Sequence, residues 1–159
     1  KNDLNNDSID RDKQKKDIES VESGEKSLDT TNQKGNYGEM KTDQYMENEL
    51  GYRRISVDRV TSLDDSGHQG IDGVYENDNP PPKFIIVESK YGSSELSDTK
   101  DGKQMSDDWI DKRLDDAVGK EKADEIRKEM ILNPENVEKV LAKIDENGNI
   151  TITSLDGNK

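Results

Sequence analysis

The chain has no cysteine, which excludes a disulfide framework and any thiolate metal site. It holds one histidine, His68, one tryptophan and one phenylalanine, and no zinc-ligand or P-loop spacing occurs. Hydrophobic residues make up only 27% of the 159 positions, and no apolar run is long enough to span a bilayer. There is no signal-peptide pattern, no initiating methionine, no internal repeat and no heptad array, so the sequence reads as a piece of a larger polypeptide.

Charge is what abounds. Charged residues are 38% of the chain, with a formal net charge of -13 and a pI near 4.5. The length suits one domain with a modest core, and so polar a composition implies that part of it stays unpacked. The negative sign argues against non-specific nucleic-acid binding by the whole surface and leaves room only for a local basic groove. It also admits a different class, a non-catalytic acidic binding module loaded with Ca²⁺, although the loop acids lack EF-hand spacing.

Residues 68–91, HQGIDGVYENDNPPPKFIIVESKY, organise the rest. Two short strands are expected, over 71–75 and 84–87, separated by Pro80, Pro81 and Pro82, which cannot donate to a ladder. Phe84, Ile85, Ile86 and Val87 form an unbroken apolar run, as in a strand buried on both faces. It closes on Glu88-Ser89-Lys90, where alternation puts Glu88 and Lys90 on one face and Ser89 on the other. If the two strands pair as a hairpin, Asp72 faces Glu88. Two adjacent carboxylates repel unless a cation lies between them, and their oxygens suit a hard divalent ion. Such an ion activates water and neutralises phosphoryl charge, with Lys90 placed to orient or deprotonate the water or to hold the phosphate. Mg²⁺ is the expected ion, Mn²⁺ the next, and Zn²⁺ if His68 joins the shell.

Four segments in order, GNYGEMKTD (35–43), HQGIDGVY (68–75), FIIVESKYGSS (84–94) and DGKQMSDDWI (101–110), make residues 35–130 resemble the PD-(D/E)XK nuclease superfamily. The resemblance is closest to the C-terminal nuclease toxin domains of bacterial polymorphic and contact-dependent growth inhibition toxins. Asp72 follows Ile71 where the superfamily name has proline. The resemblance implies a restriction endonuclease-like α/β core, with a central mixed sheet flanked by helices. It implies metal binding by Asp72 and Glu88, catalysis with Lys90, a helical Glu39 completing the shell, and Gln104 beside Lys90. The implied activity is a DNA endonuclease, with RNA, including transfer RNA, as the alternative substrate. The implied setting is a domain exported within a larger toxin, acting in the target bacterium's cytoplasm and neutralised by a cognate immunity protein.

In chain order, residues 1–34 are expected to be a flexible linker or weakly helical arm, and 35–155 the folded domain. Residues 39–50 read as a helix presenting Glu39, Asp43, Met46 and Leu50 on one face, and 52–60 as the first strand. Arg53 and Arg54 are either phosphate contacts or an ordinary surface pair. His68 is a candidate general base, phosphate contact or third metal ligand, and Gln69 a candidate nucleic-acid contact. Ser93, Ser94, Lys100 and Lys103 are candidate substrate contacts on polar loops. Residues 104–118 and 120–132 read as helices, and 136–144 with 149–154 as a C-terminal β-hairpin around Asn147-Gly148.

Overall fold

The structure, a computed structural model, describes residues 2–67 and 69–156. Helix α1 (Asn2–Glu22) leads to α2 (Thr31–Gln44), which continues as one π-helical turn, Tyr45–Glu49. Strands β1 (Arg53–Arg54), β2 (Gly73–Glu76) and β3 (Phe84–Tyr91) follow, then a small hairpin of β4 (Asp98–Thr99) and β5 (Gly102–Lys103). Helices α3 (Asp107–Asp111), α4 (Leu114–Val118) and α5 (Lys120–Leu132) precede the hairpin of β6 (Val137–Ile144) and β7 (Ile150–Ser154).

The main sheet has the order β1-β2-β3-β6-β7, with β3 and β6 parallel and the other pairs antiparallel. It is therefore an α/β architecture, a central mixed sheet flanked by helices and closed by a C-terminal hairpin. Because β3 is paired on both edges and covered on both faces, its run from Phe84 to Val87 must be apolar throughout. Tyr75, Ile85, Val87 and Ala142 pack on Ile18, Tyr37, Met40 and Met46 of the first two helices and the π turn. Val74, Phe84, Ile86 and Val137 pack on Trp109, Ile110, Leu114 and Ile126 of the later helices. Long α5 and the hairpin lie where the sequence pattern puts them.

Four expectations are corrected. Residues 2–22 are not a linker: α1 buries Gln14 and Ile18, and Tyr37 donates to Glu22 Oε2 at 2.8 Å. Its low apolar content conceals this because few side chains make the contact. The helix expected from residue 39 begins at Thr31, where Thr30 and Gln33 form a reciprocal capping box. Gly35 and Gly38 therefore lie inside it, and Gly38 allows close approach to β3: a Cβ there would stand 3.3 Å from Ser89 Oγ. The strand expected over 52–60 lasts two residues: Ile55 and Ser56 both donate to the Val74 carbonyl, which breaks the ladder, and the chain has left the sheet by Asp58, at a left-handed φ of 64°. The helix expected over 104–118 is broken into α3 and α4 around Lys112 and Arg113, and Gln104 precedes both in a turn.

Candidate functional site

The β2–β3 ladder pairs Gly73 with Val87, so its continuation sets Asp72 opposite Glu88. Asp72 Oδ2 accepts the backbone N–H of Ser89 at 2.8 Å, which fixes its carboxylate over the end of β2. Glu88 is 4% exposed. Its Oε2 lies 3.6 Å from Lys90 Nζ and accepts from Gln104 Nε2 at 3.3 Å. Its Oε1 is buried with no hydrogen-bond partner. A buried acceptor left unmet costs free energy, more so on a charged group.

Electrostatics follow from this enclosure. Burial is the main cause that pushes the Glu88 carboxyl up to about 7; the Lys90 ammonium opposes it and the Glu39 charge adds to it. Burial also holds Asp72 well above the ordinary carboxylate range, reinforced by the charges of Glu39 and Glu88 and opposed by the Ser89 N–H. Two carboxyls that resist ionising side by side form a site that stabilises a cation, or else keeps a proton.

Behind the pair, Gly73 is required by its neighbour. A Cβ there would lie 2.8 Å from the Tyr75 hydroxyl, and the buried Tyr75 ring has nowhere to move. The Tyr75 hydroxyl donates a short hydrogen bond to Asp43 Oδ1. Asp43 is fully enclosed and also takes Arg54 Nη1 at 2.7 Å and Gln14 Nε2 at 2.8 Å. Arg54 Nη2 in turn donates to the Asp72 carbonyl at 3.2 Å. Arg54 is thus a buried brace and not a phosphate contact. Arg53 pairs with Asp78 at 3.0 Å and Glu76 at 3.6 Å, at the opposite end of β2 from Asp72. Both arginines carry local sequence no different from a surface pair, so only the fold separates their roles.

The other expected residues divide. Glu39, on α2, acts on Asp72 and Glu88 through its charge and lines the small recess that holds Thr42, Asp72 and Ser89. Gln104 contacts Glu88 and steadies its own loop, accepting the Ser97 N–H at 2.8 Å. Gln69 and Lys100 line one cavity beside Ile71. Ser93 and Ser94 lie in a separate open groove with Tyr91 and Asp145. Lys103 is exposed on β5. His68 lies outside the described residues. Sequence reasoning missed the bracing role of Asp43 and Arg54 and the cationic pair Lys112–Arg113.

Among the described residues, no group of three His, Cys, Asp or Glu side chains is disposed to hold a metal. The donors that do converge are two carboxylates, one with an unmet buried oxygen. That set fits Mg²⁺, which commonly takes one or two carboxylates, completes its shell with water and substrate phosphate, and needs no all-protein cage. Asp72 and Glu88 would hold the ion.

Fold and site together define an α/β chain with a buried acidic pair and an adjacent ammonium at the end of a central strand. No family model, no curated protein and no solved structure matches it. Among the described residues, no helix is long and apolar enough to cross a membrane.

Proposed function

We propose that the chain is a metal-dependent nuclease domain with a restriction endonuclease-like core, hydrolysing DNA phosphodiester bonds. The observation that carries this reading is the buried Asp72–Glu88 pair with Lys90 Nζ 3.6 Å from Glu88. When bound there, a divalent cation supplies Lewis acidity and charge neutralisation for phosphoryl transfer. Asp72, just ahead of β2, and Glu88, on β3, would hold it. Lys90 orients the attacking water and offsets charge growing on the phosphate. Gln104 keeps Glu88 Oε2 in place, and Arg54 keeps the Asp72 backbone in place. Ser89, facing α2 with its hydroxyl 3.2 Å from that of Thr42, locks the end of β3 that carries Glu88 and Lys90. The wider reading, supported by the sequence resemblance, is a toxin domain delivered to a target bacterium and neutralised by an immunity protein.

Purified protein is incubated with plasmid DNA and with total transfer RNA, each with Mg²⁺, Mn²⁺ or Zn²⁺. The expected result is cation-dependent DNA cleavage that Glu88→Gln and Lys90→Ala abolish. Cleavage of RNA alone would move the substrate to RNA. No cleavage of either with any ion would refute the nuclease reading.

A further inference from the structure

A cavity of about 350 Å³ opens beside the candidate centre, between the β4–β5 hairpin, the α3–α4 break and the residues that enter β2. Gly70 and Ile71, immediately before Asp72, form one wall. Three cations, Lys100, Lys112 and Arg113, line it with three carboxylates, Asp58, Asp101 and Asp116, so the recess is near neutral in a chain whose net charge is -13. A near-neutral recess on so acidic a chain is a place where an anionic strand meets less repulsion than elsewhere.

The cations are held ready. Asp101, at the turn of the β4–β5 hairpin, takes Lys112 Nζ at 3.1 Å and Arg113 Nη2 at 3.3 Å, one on each oxygen. The Arg113 guanidinium lies 4.5 Å from the centre of the Trp109 ring, and its Nη1 donates to the Trp109 carbonyl at 3.1 Å. Stacking of this kind fixes a guanidinium plane and reduces the freedom lost when it meets an anion. One carboxylate bridging two cations has the charge and reach of a phosphate in that place. The apolar parts of the lining, Ile71, Ala117 and the 56% exposed Val57, offer a surface for a flat ring. Gln69 adds amide donors and acceptors.

We propose that this cavity seats one unpaired nucleotide of the substrate strand, its phosphate on Arg113 and Lys112 in exchange for Asp101 and the neighbouring phosphate of the strand on Lys100. This rests on the nuclease reading and narrows it. The volume lies at the small end of ligand cavities. It admits a nucleotide turned out of a stack, whereas a base pair within a duplex stays outside. The substrate class is therefore nucleic acid that is single-stranded or opened at the cut, and the scissile phosphate lies next to the captured one.

The test is fluorescence anisotropy in EDTA, with a labelled single-stranded oligonucleotide and a duplex of equal length, from 50 to 200 mM NaCl. The expected order is single strand tighter than duplex. Arg113→Gln, Lys112→Gln and Lys100→Gln each flatten the plot of log affinity against log salt by about 0.7, the loss of one phosphate contact on a single strand. Arg113→Lys restores the slope, and Asp101→Asn raises affinity. A purely structural Arg113 would lower the melting temperature without changing the slope. Lys100→Gln, on an exposed side chain, keeps the test open if Arg113→Gln folds poorly. Unchanged slopes in all three variants, or a duplex bound as tightly as the single strand, overturn the proposal. Cleavage by the wild type is scored in parallel. Cleavage with unchanged slopes defeats the cavity alone. Changed slopes without cleavage keep the cavity as a nucleotide site and defeat the nuclease reading.

Discussion

Arg54 and Asp72 are joined through the backbone: the guanidinium, neutralised by buried Asp43, donates to the Asp72 carbonyl at 3.2 Å. The residue that presents a carboxylate to the candidate centre is thus held by a cation that is itself buried. An arginine is suited to this because its several fixed N–H groups can serve Asp43 and main-chain oxygens at once. Four consequences can be measured.

Removing one partner of the Asp43–Arg54 pair leaves a charge in the core. Asp43→Ala is expected to cost about 3–5 kcal/mol of stability, the range for a broken buried pair. Tyr75→Phe, which removes one hydrogen bond to the same carboxylate, is expected to cost about 1–2 kcal/mol. Urea titrations of both variants check the ranking. A neutral Asp43→Ala would remove Asp43 from the framework.

Glu88 links stability to pH. Its folded pKa of about 7 lies above the ordinary value of 4.5. A carboxyl raised in this way favours folding below pH 4.5 and loses that advantage as pH climbs through 7. For the metal-free protein the loss is on the order of 3 kcal/mol. Glu88→Gln should reduce this dependence to the part that buried Asp72 contributes, and be the more stable protein at pH 8.5. Thermal melts at pH 5.5 and 8.5 in EDTA measure it. Equal pH dependence in the two proteins would count against a buried Glu88.

The same carboxyl makes cation binding compete with a proton. Mg²⁺ is expected to raise the melting temperature strongly at pH 8.5 and little at pH 5.5, and the effect should vanish in Glu88→Gln. Melts with and without 10 mM ion, roughly a large excess over an ordinary weak site, test this. A shift that survives Glu88→Gln would place the ion elsewhere.

The first helix should matter to the core. Ile18→Ala is expected to cost about 2–5 kcal/mol, as for other buried large-to-small changes. Removing residues 1–22, which leaves the Thr30 cap of α2 in place, should lower the melting temperature further, because Gln14 no longer reaches Asp43 and the Val60 carbonyl. Unchanged melting of the shortened chain would show that α1 rests on the body without supporting it.

Much of the centre was legible because strand alternation is strict: a buried run ending Glu-Ser-Lys can put the acid and the amine only on one face. Asp72 was placed by the expected pairing of the two strands, although the strand expected over 71–75 begins only at Gly73 and leaves Asp72 just ahead of it. What stayed illegible involves polar burial. Gln14, Asp43 and Arg54 look like surface residues by composition, and their enclosure arises from contacts between segments that lie far apart in the chain. The same holds for Arg53 and Arg54, neighbours whose fates diverge because successive strand residues face opposite ways. The break between α3 and α4 left no glycine or proline to mark it, so periodicity ran straight through Lys112 and Arg113.

The crowding of Gly73 by the Tyr75 ring has a practical use. Asp72, Gly73 and Tyr75 form one steric unit: the ring lies along its own strand only because its neighbour two residues back has no side chain. Anyone searching genomes for further chains of this design therefore has a stricter query than scattered acids, the string Asp-Gly-x-Tyr followed by an apolar strand that ends in Glu-x-Lys.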